Sequence, residues 1–110
     1  MKHFTNQCAQ GDVVLTRIAA LPAAVPREGA WVGVLAHSET GHHHVLDRSE
    51  VEMYRLPEEI YECFIVVKEA TPLEHLRSFD THEPILVEPG IYRVSRQREY
   101  TPEGMRRVED

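Results

Sequence analysis

Short β-branched and apolar segments alternate with turns that contain glycine or proline along the whole chain, and this pattern constrains the fold most. Residues of this kind favour strands, while glycine and proline mark the turns between them. No long stretch has the apolar period of about 3.6 residues that marks an amphipathic helix. The segments predicted as strands are 12–18, 31–37, 42–47, 51–56, 60–68, 85–88, 91–100 and 105–108.

Residues 70–78 admit two interpretations. Thr71-Pro72-Leu73-Glu74 has the form of a capping box with proline at the first helical position, which favours a short helix. The neighbouring segments on both sides are strands, and we therefore favour a strand here. Segment 60–68 is the most apolar and is predicted at the centre of a sheet.

Eight or nine short strands predict an all-β fold, a small antiparallel β-barrel or jelly-roll-like domain. The length of 110 residues fits one domain over residues 1–110. The chain has no apolar run near the roughly 20 residues of a membrane helix. It also lacks the apolar stretch of a signal peptide at residues 1–8, and we expect a cytoplasmic protein. Cys8 and Cys63 are then expected as reduced thiols, with Cys63 buried and inert.

Charge argues against one class of partner. The net charge is −6, from 12 basic and 18 acidic side chains, so non-specific binding of nucleic acid is not expected. Arginines gather near the C-terminus, where Arg96 and Arg98 share a strand face and Tyr100 follows. This group could bind a phosphate or carboxylate of a small-molecule ligand. Alternatively, the charges keep an exposed strand edge soluble, which is the interpretation we favour.

The unusual chemical feature is a histidine cluster, with four of the seven histidines in residues 37–44. On a strand, His42 and His44 point to the same face. A four-residue turn at 38–41 would place His37 opposite His42, and Leu35 opposite His44. A shifted register would instead pair His37 with His43, while His42 and His44 would still share a face.

Imidazoles on opposed strands are close enough to bind one metal ion, because opposed Cβ atoms lie about 4.5–5.5 Å apart. Zinc, iron, nickel and copper all suit imidazole ligands, so a divalent metal is the predicted cofactor. Further ligands must come from elsewhere in the chain, and the alternative is a set of hydrated surface histidines. The predicted metal ligands are His42 and His44, then His37, with His75, His82, Glu39 and Glu50 as further candidates.

Three motifs carry a family resemblance. They are Gln10-Gly11-Asp12-Val13-Val14, the segment SETGHHHV at 38–45, and the segment PGIYRVSRQREY at 89–100. In these the chain resembles a group of small bacterial proteins of unassigned function, with a GDV start, an ETGHxH centre and a PGxYxVxxQREY end. The resemblance spans about Gln10 to Tyr100 and implies one shared domain.

A weaker resemblance is to the cupins, whose metal site uses an HxH pair, a glutamate and a later histidine. His42 and His44 match the pair, Glu50 follows, and His75 or His82 would have to supply the later histidine. The resemblance implies a cupin-like barrel with a metal centre.

Two functions follow from these features. The first is a metal-binding β-barrel, whose metal would act as a Lewis acid or activate water if the protein is an enzyme. The second is a non-catalytic interaction module that forms a homodimer through a strand edge or an apolar face. Binding of nucleic acid through the C-terminal arginines is a third and less favoured hypothesis.

Overall fold

The computed structural model describes residues 1–37, 43–57, 59, 62–76, 84–96, 98–101 and 104–107, with the backbone alone described at 36, 37, 43, 75, 76, 98–101 and 104–107. These residues form strands and no helix, so the all-β prediction is confirmed, and none of their segments is a helix that could cross a membrane. The strands are β1 (Gln7–Gln10), β2 (Val13–Ile18), β3 (Val34–His37), β4 (His43–Val45), β5 (Val51–Tyr54), β6 (Glu62–Val67), β7 (Thr71–Leu76), β8 (Ile85–Val87), β9 (Gly90–Arg96), β10 (Arg98–Thr101) and β11 (Gly104–Arg107).

The first sheet has five strands in the order β1-β2-β9-β6-β5, and every neighbouring pair is antiparallel. Strand β5 follows the alternation that its sequence predicts: Val51 and Met53 are buried, whereas Glu52 and Tyr54 are half-buried. This alternation fixes which face of the sheet is turned to the core.

The prediction that segment 60–68 is central is wrong, because β9 holds the middle position and β6 lies beside it. Apolar content does not decide strand order. Strand β9 buries Tyr92 and Val94 while the intervening Arg93 is exposed, so a strand with a charged outer face can still lie at the centre.

The second sheet has the order β3-β4-β7-β8 and is also antiparallel. The strand predicted within residues 70–78 is confirmed by β7. Pro72 is tolerated there because β4 pairs with residues 74–76 of β7, and β8 pairs with residues 71–73. At Pro72 the side of β7 that faces β4 has no ladder hydrogen bond to lose, so the missing N–H costs little.

Two details at the chain ends differ from the predictions. Strand β1 was not predicted, since Gln7-Cys8-Ala9-Gln10 has no β-branched residue, and it forms by pairing with β2 across a tight turn. The predicted strand 91–100 is divided: β9 ends at Arg96, and β10 belongs to a separate two-stranded sheet with β11. Pairing within a hairpin, rather than the propensity of the single strand, decides both cases.

One hydrophobic cluster contains residues of both sheets and joins them. Each fully buried aliphatic or aromatic side chain contributes about 1.5–3 kcal/mol by leaving water. Its members include Val13, Leu15, Ile65, Tyr92 and Val94 of the first sheet and Leu35, Leu73 and Val87 of the second. Across the described ranges no strand pairing closes a barrel, so the fold consists of two main antiparallel sheets with the separate β10–β11 hairpin, and the barrel or jelly-roll detail remains a prediction.

Candidate functional site

His44 lies in β4 and is almost fully buried, with 1% of its surface exposed. Its Nδ1 atom is 3.0 Å from Oε1 of Gln10, the last residue of β1. Nε2 of Gln10 donates a hydrogen bond to the backbone oxygen of Leu73 in β7, at 2.9 Å. Because the amide nitrogen is committed to Leu73, Oε1 is the acceptor that faces His44, and His44 Nδ1 must carry the proton.

A two-residue turn places Gln10 and Asp12 near each other. Gln10 pairs with Val13 in the β1–β2 hairpin, which leaves Gly11 and Asp12 as its central residues. Gly11 has a φ of 60°, and a positive φ at the first central position is typical of a type II′ turn. Glycine is the residue that adopts this conformation at little cost. The turn therefore carries Asp12 into the space beside His44.

The Asp12 carboxylate lies between the Arg96 guanidinium and the His44 imidazole. Its Oδ2 accepts hydrogen bonds from Nε of Arg96 at 3.2 Å and from Nη2 at 2.9 Å. Its Oδ1 is 3.6 Å from Nε2 of His44. Asp12 is only 4% exposed, and a buried carboxylate requires such a charged partner.

Gln10, Asp12, His44 and Arg96 together form what we call the polar cluster. Its members come from three separate parts of the chain: the β1–β2 turn, β4 and the end of β9. His44 belongs to the second sheet, whereas Gln10 and Arg96 belong to the first. The cluster therefore joins the two sheets through polar contacts, next to the hydrophobic cluster that joins them by packing.

Of the predicted ligands, the structure brings His44 into this cluster and gives the backbone positions of two others. The register places His75 directly opposite His44 on the neighbouring strand, and His37 opposite His43. His42, His82 and Glu39 lie outside the described residues. Glu50 is in the turn before β5, where its backbone pairs with Asp47 and Lys68.

Of the two registers considered for the histidine hairpin, the shifted one is observed. His37 pairs with His43 rather than with His42, and His44 pairs with Ala36 rather than with Leu35. An irregularity in the ladder between Val34 and Ala36 shifts the pairing. A β-bulge of this kind inserts one residue in one strand, and the sequence pattern gave no sign of it.

Arg96, Arg98 and Tyr100 were grouped as a ligand clamp. Arg96 is the residue of this group whose side chain is described, and its guanidinium binds Asp12. Arg98 and Tyr100 lie on β10 at register positions opposite Arg107 and Met105, where the backbone alone is described.

Gln10 and Asp12 are members of the cluster that sequence reasoning missed as site residues. A signal was present: Gly11 flanked by two polar residues, directly before a buried β-branched strand, marks a tight turn at the end of a core strand. Polar side chains at such a turn can reach across the end of the core. Which residue they would meet depends on how the sheets pack.

The two cysteines are free thiols, Cys8 half-buried and Cys63 buried. Burial raises the pKa of Cys63 to about 12 and that of Cys8 to about 11, so both thiols hold their protons at neutral pH. The expected burial of Cys63 is confirmed. Within the part of the chain that the structure describes, no group of three or more His, Cys, Asp or Glu side chains is arranged to hold a metal ion.

The fold and the cluster define a class of protein: a small all-β domain whose two antiparallel sheets are joined by a buried Gln–His–Asp–Arg cluster. Residues 9–97 match the family described as Domain of unknown function (DUF8820), and the chain belongs to that family. No curated protein and no solved structure matches it. The expectation of a small uncharacterised domain family is thereby confirmed, while the bacterial motif and the cupin likeness remain resemblances.

Proposed function

We propose that this domain binds one divalent transition-metal ion between its two sheets, with Nε2 of His44 as a nitrogen ligand and Oδ1 of Asp12 as an oxygen ligand. The observation that carries the proposal is the hydrogen bond between Nδ1 of His44 and Oε1 of Gln10. It fixes the ring so that Nε2 is directed at the Asp12 carboxylate.

This arrangement is the one that metal-binding histidines use. Such a histidine donates its second ring N–H to a carboxylate, carbonyl or water, which sets the tautomer and the ring orientation. In this chain the Gln10 amide oxygen supplies that acceptor, and the bond from Gln10 to Leu73 holds the amide in place. The ring is thus preorganised for coordination through Nε2.

The separation of the two proposed ligand atoms supports a small ion. Two ligands of a tetrahedral zinc ion, each about 2.0–2.1 Å from the metal, lie about 3.4 Å apart. The observed distance between Nε2 of His44 and Oδ1 of Asp12 is 3.6 Å. A slight movement of either side chain would allow both to bind the same ion.

A purely structural role is the competing explanation. If His44 carries a second proton on Nε2, the ring forms a buried ion pair with Asp12 and simply ties the sheets together. A proton and a metal ion would compete for the same nitrogen, so metal affinity should increase as the pH rises. Further ligands in this proposal are His75, His37, His42 and His82; His75 is the first choice because its backbone lies opposite His44.

The test is a titration of tag-free protein with zinc and with nickel, followed by metal analysis. We expect close to one equivalent in the wild type, and less than about 0.1 equivalent would contradict the proposal, because a preformed site binds tightly. Bound metal should also raise the unfolding free energy, by about 2.7 kcal/mol at a free-metal concentration 100 times the dissociation constant.

Matched variants separate this site from incidental binding by surface histidines. His44→Gln should abolish binding, whereas His3→Gln, at an exposed histidine, should leave it unchanged. Asp12→Asn keeps the shape of the side chain and serves as a second variant if His44→Gln does not fold. Equal metal binding by folded Asp12→Asn, His3→Gln and wild-type protein would overturn the assignment.

A further inference from the structure

Arg96 divides the two oxygens of the Asp12 carboxylate between two tasks. Its Nε and Nη2 atoms donate hydrogen bonds to Oδ2, and Oδ1 is the oxygen that faces His44. The contact is built into the sheet, because Arg96 pairs with Val13, the residue that follows Asp12. The side chain of Arg96 is 13% exposed, so little water screens the interaction.

We propose that Arg96 determines which metal ions this site accepts, favouring transition metals with nitrogen ligands over calcium and magnesium. This inference rests on the proposed metal binding at His44. Arg96 would act on the metal through Asp12 and would not bind it directly.

Carboxylate geometry supplies the first reason. Calcium takes six to eight oxygen ligands, often including a carboxylate that binds through both oxygens. With Oδ2 engaged by a guanidinium at 2.9 Å and 3.2 Å, Asp12 offers Oδ1 to a metal as a single-oxygen ligand. A zinc or nickel ion can bind a carboxylate through one oxygen only, because imidazole nitrogen is a preferred ligand of both metals.

Charge supplies the second reason. The guanidinium cancels the carboxylate charge, so a dication gains little net attraction from the Asp12–Arg96 pair. Calcium and magnesium depend on that attraction, since imidazole contributes little to binding them. Zinc and nickel compensate for the weaker electrostatic attraction through the bond to His44. Arg96 therefore favours these metals over calcium and magnesium.

The test compares zinc and calcium binding, each metal alone, by calorimetry in wild-type protein and in Arg96→Gln. Glutamine removes the positive charge but can still donate a hydrogen bond to Oδ2. We expect the ratio of the calcium to the zinc association constants to rise at least about tenfold, a change equivalent to 1.4 kcal/mol. Arg93→Gln removes one charge from an exposed position on the same strand and should change the ratio less than about twofold.

Arg96→Lys provides a second variant if the glutamine variant does not fold. It keeps the charge but cannot make the paired contact, and we expect a smaller rise, between the Arg93→Gln and Arg96→Gln values. If wild-type protein binds zinc and neither folded Arg96 variant changes the ratio, the role of Arg96 is refuted and metal binding stands. If wild-type protein binds no zinc, both proposals fail together.

Discussion

Nδ1 of His44 lies 3.0 Å from Oε1 of Gln10, although 34 positions separate the two residues in the chain. The contact links β4 in the second sheet to β1 in the first. Because Gln10 also donates to Leu73, its amide cannot turn over without breaking a buried hydrogen bond. The orientation of the His44 ring is therefore a consequence of how the two sheets pack.

Replacing Gln10 by leucine should destabilise the domain strongly. The change removes the acceptor from Nδ1 of His44 and the donor from the Leu73 carbonyl, and each buried group left unsatisfied costs about 1–3 kcal/mol. We expect a loss of about 2–4 kcal/mol in the free energy of unfolding, measured by urea denaturation. Gln7→Leu is the matched control, since Gln7 lies on the same strand and bonds Thr16 at the exposed surface. Equal losses in the two variants would show that the buried amide has no special role.

Strand β5 was predictable because apolar and polar residues alternate within it. Val51 and Met53 alternate with Glu52 and Tyr54 in the sequence, and burial follows the same order in the structure. An extended backbone over 42–47 was predicted as the strand that returns after the turn-like segment 38–41, and strand β4 is observed at His43–Val45.

The polar cluster was not predictable in the same way. The partner of Gln10 depends on which sheet faces the β1–β2 turn, and strand order is a long-range property that no local pattern encodes. The sequence left two registers open for the histidine hairpin for a related reason, because the irregularity between Val34 and Ala36, which sets the observed register, is a feature of pairing rather than of composition.

The Tyr92 hydroxyl should stabilise the first sheet near the start of β9, away from the polar cluster at the end of that strand. It donates to the backbone oxygen of Glu88 and accepts from Nη2 of Arg17, each at 2.7 Å. Tyr92→Phe should cost about 1–3 kcal/mol of unfolding free energy, because both partners lose a largely buried contact. Tyr54→Phe removes a hydroxyl bonded to Glu52 near the surface and should cost about 0.5 kcal/mol or less. A Tyr92→Phe variant as stable as Tyr54→Phe would contradict this assignment.

Gly33 should not accept a side chain. Its φ is +97°, and a Cβ there would lie 2.6 Å from the backbone oxygen of Leu46. The backbone strain alone costs about 1–3 kcal/mol for a residue other than glycine, and the collision adds to it. Gly33→Ala should therefore lower the melting temperature clearly. Gly29→Ala should leave it nearly unchanged, since a Cβ at Gly29 meets nothing within 4 Å; a similar decrease in both variants would refute the prediction.

The thiol of Cys63 should make the domain sensitive to alkali. Burial raises its pKa from 9.0 to about 12, so between those values the unfolded chain has lost a proton that the folded chain retains. Stability then falls as the pH rises above 9, by about 1.4 kcal/mol per pH unit for this group. Cys63→Ala should show a shallower decline in urea unfolding free energy between pH 9 and 11, under reducing conditions. Parallel curves for the two proteins would contradict the prediction.

The most direct test of the proposed metal site is long-range proton–nitrogen NMR of the histidine rings, before and after addition of one equivalent of zinc. We expect that Nδ1 of His44 is protonated in both states, and that zinc shifts the resonance of its Nε2. His3, which is exposed, should not change. A His44 ring whose Nε2 resonance stays unchanged in the presence of zinc would contradict metal binding at His44.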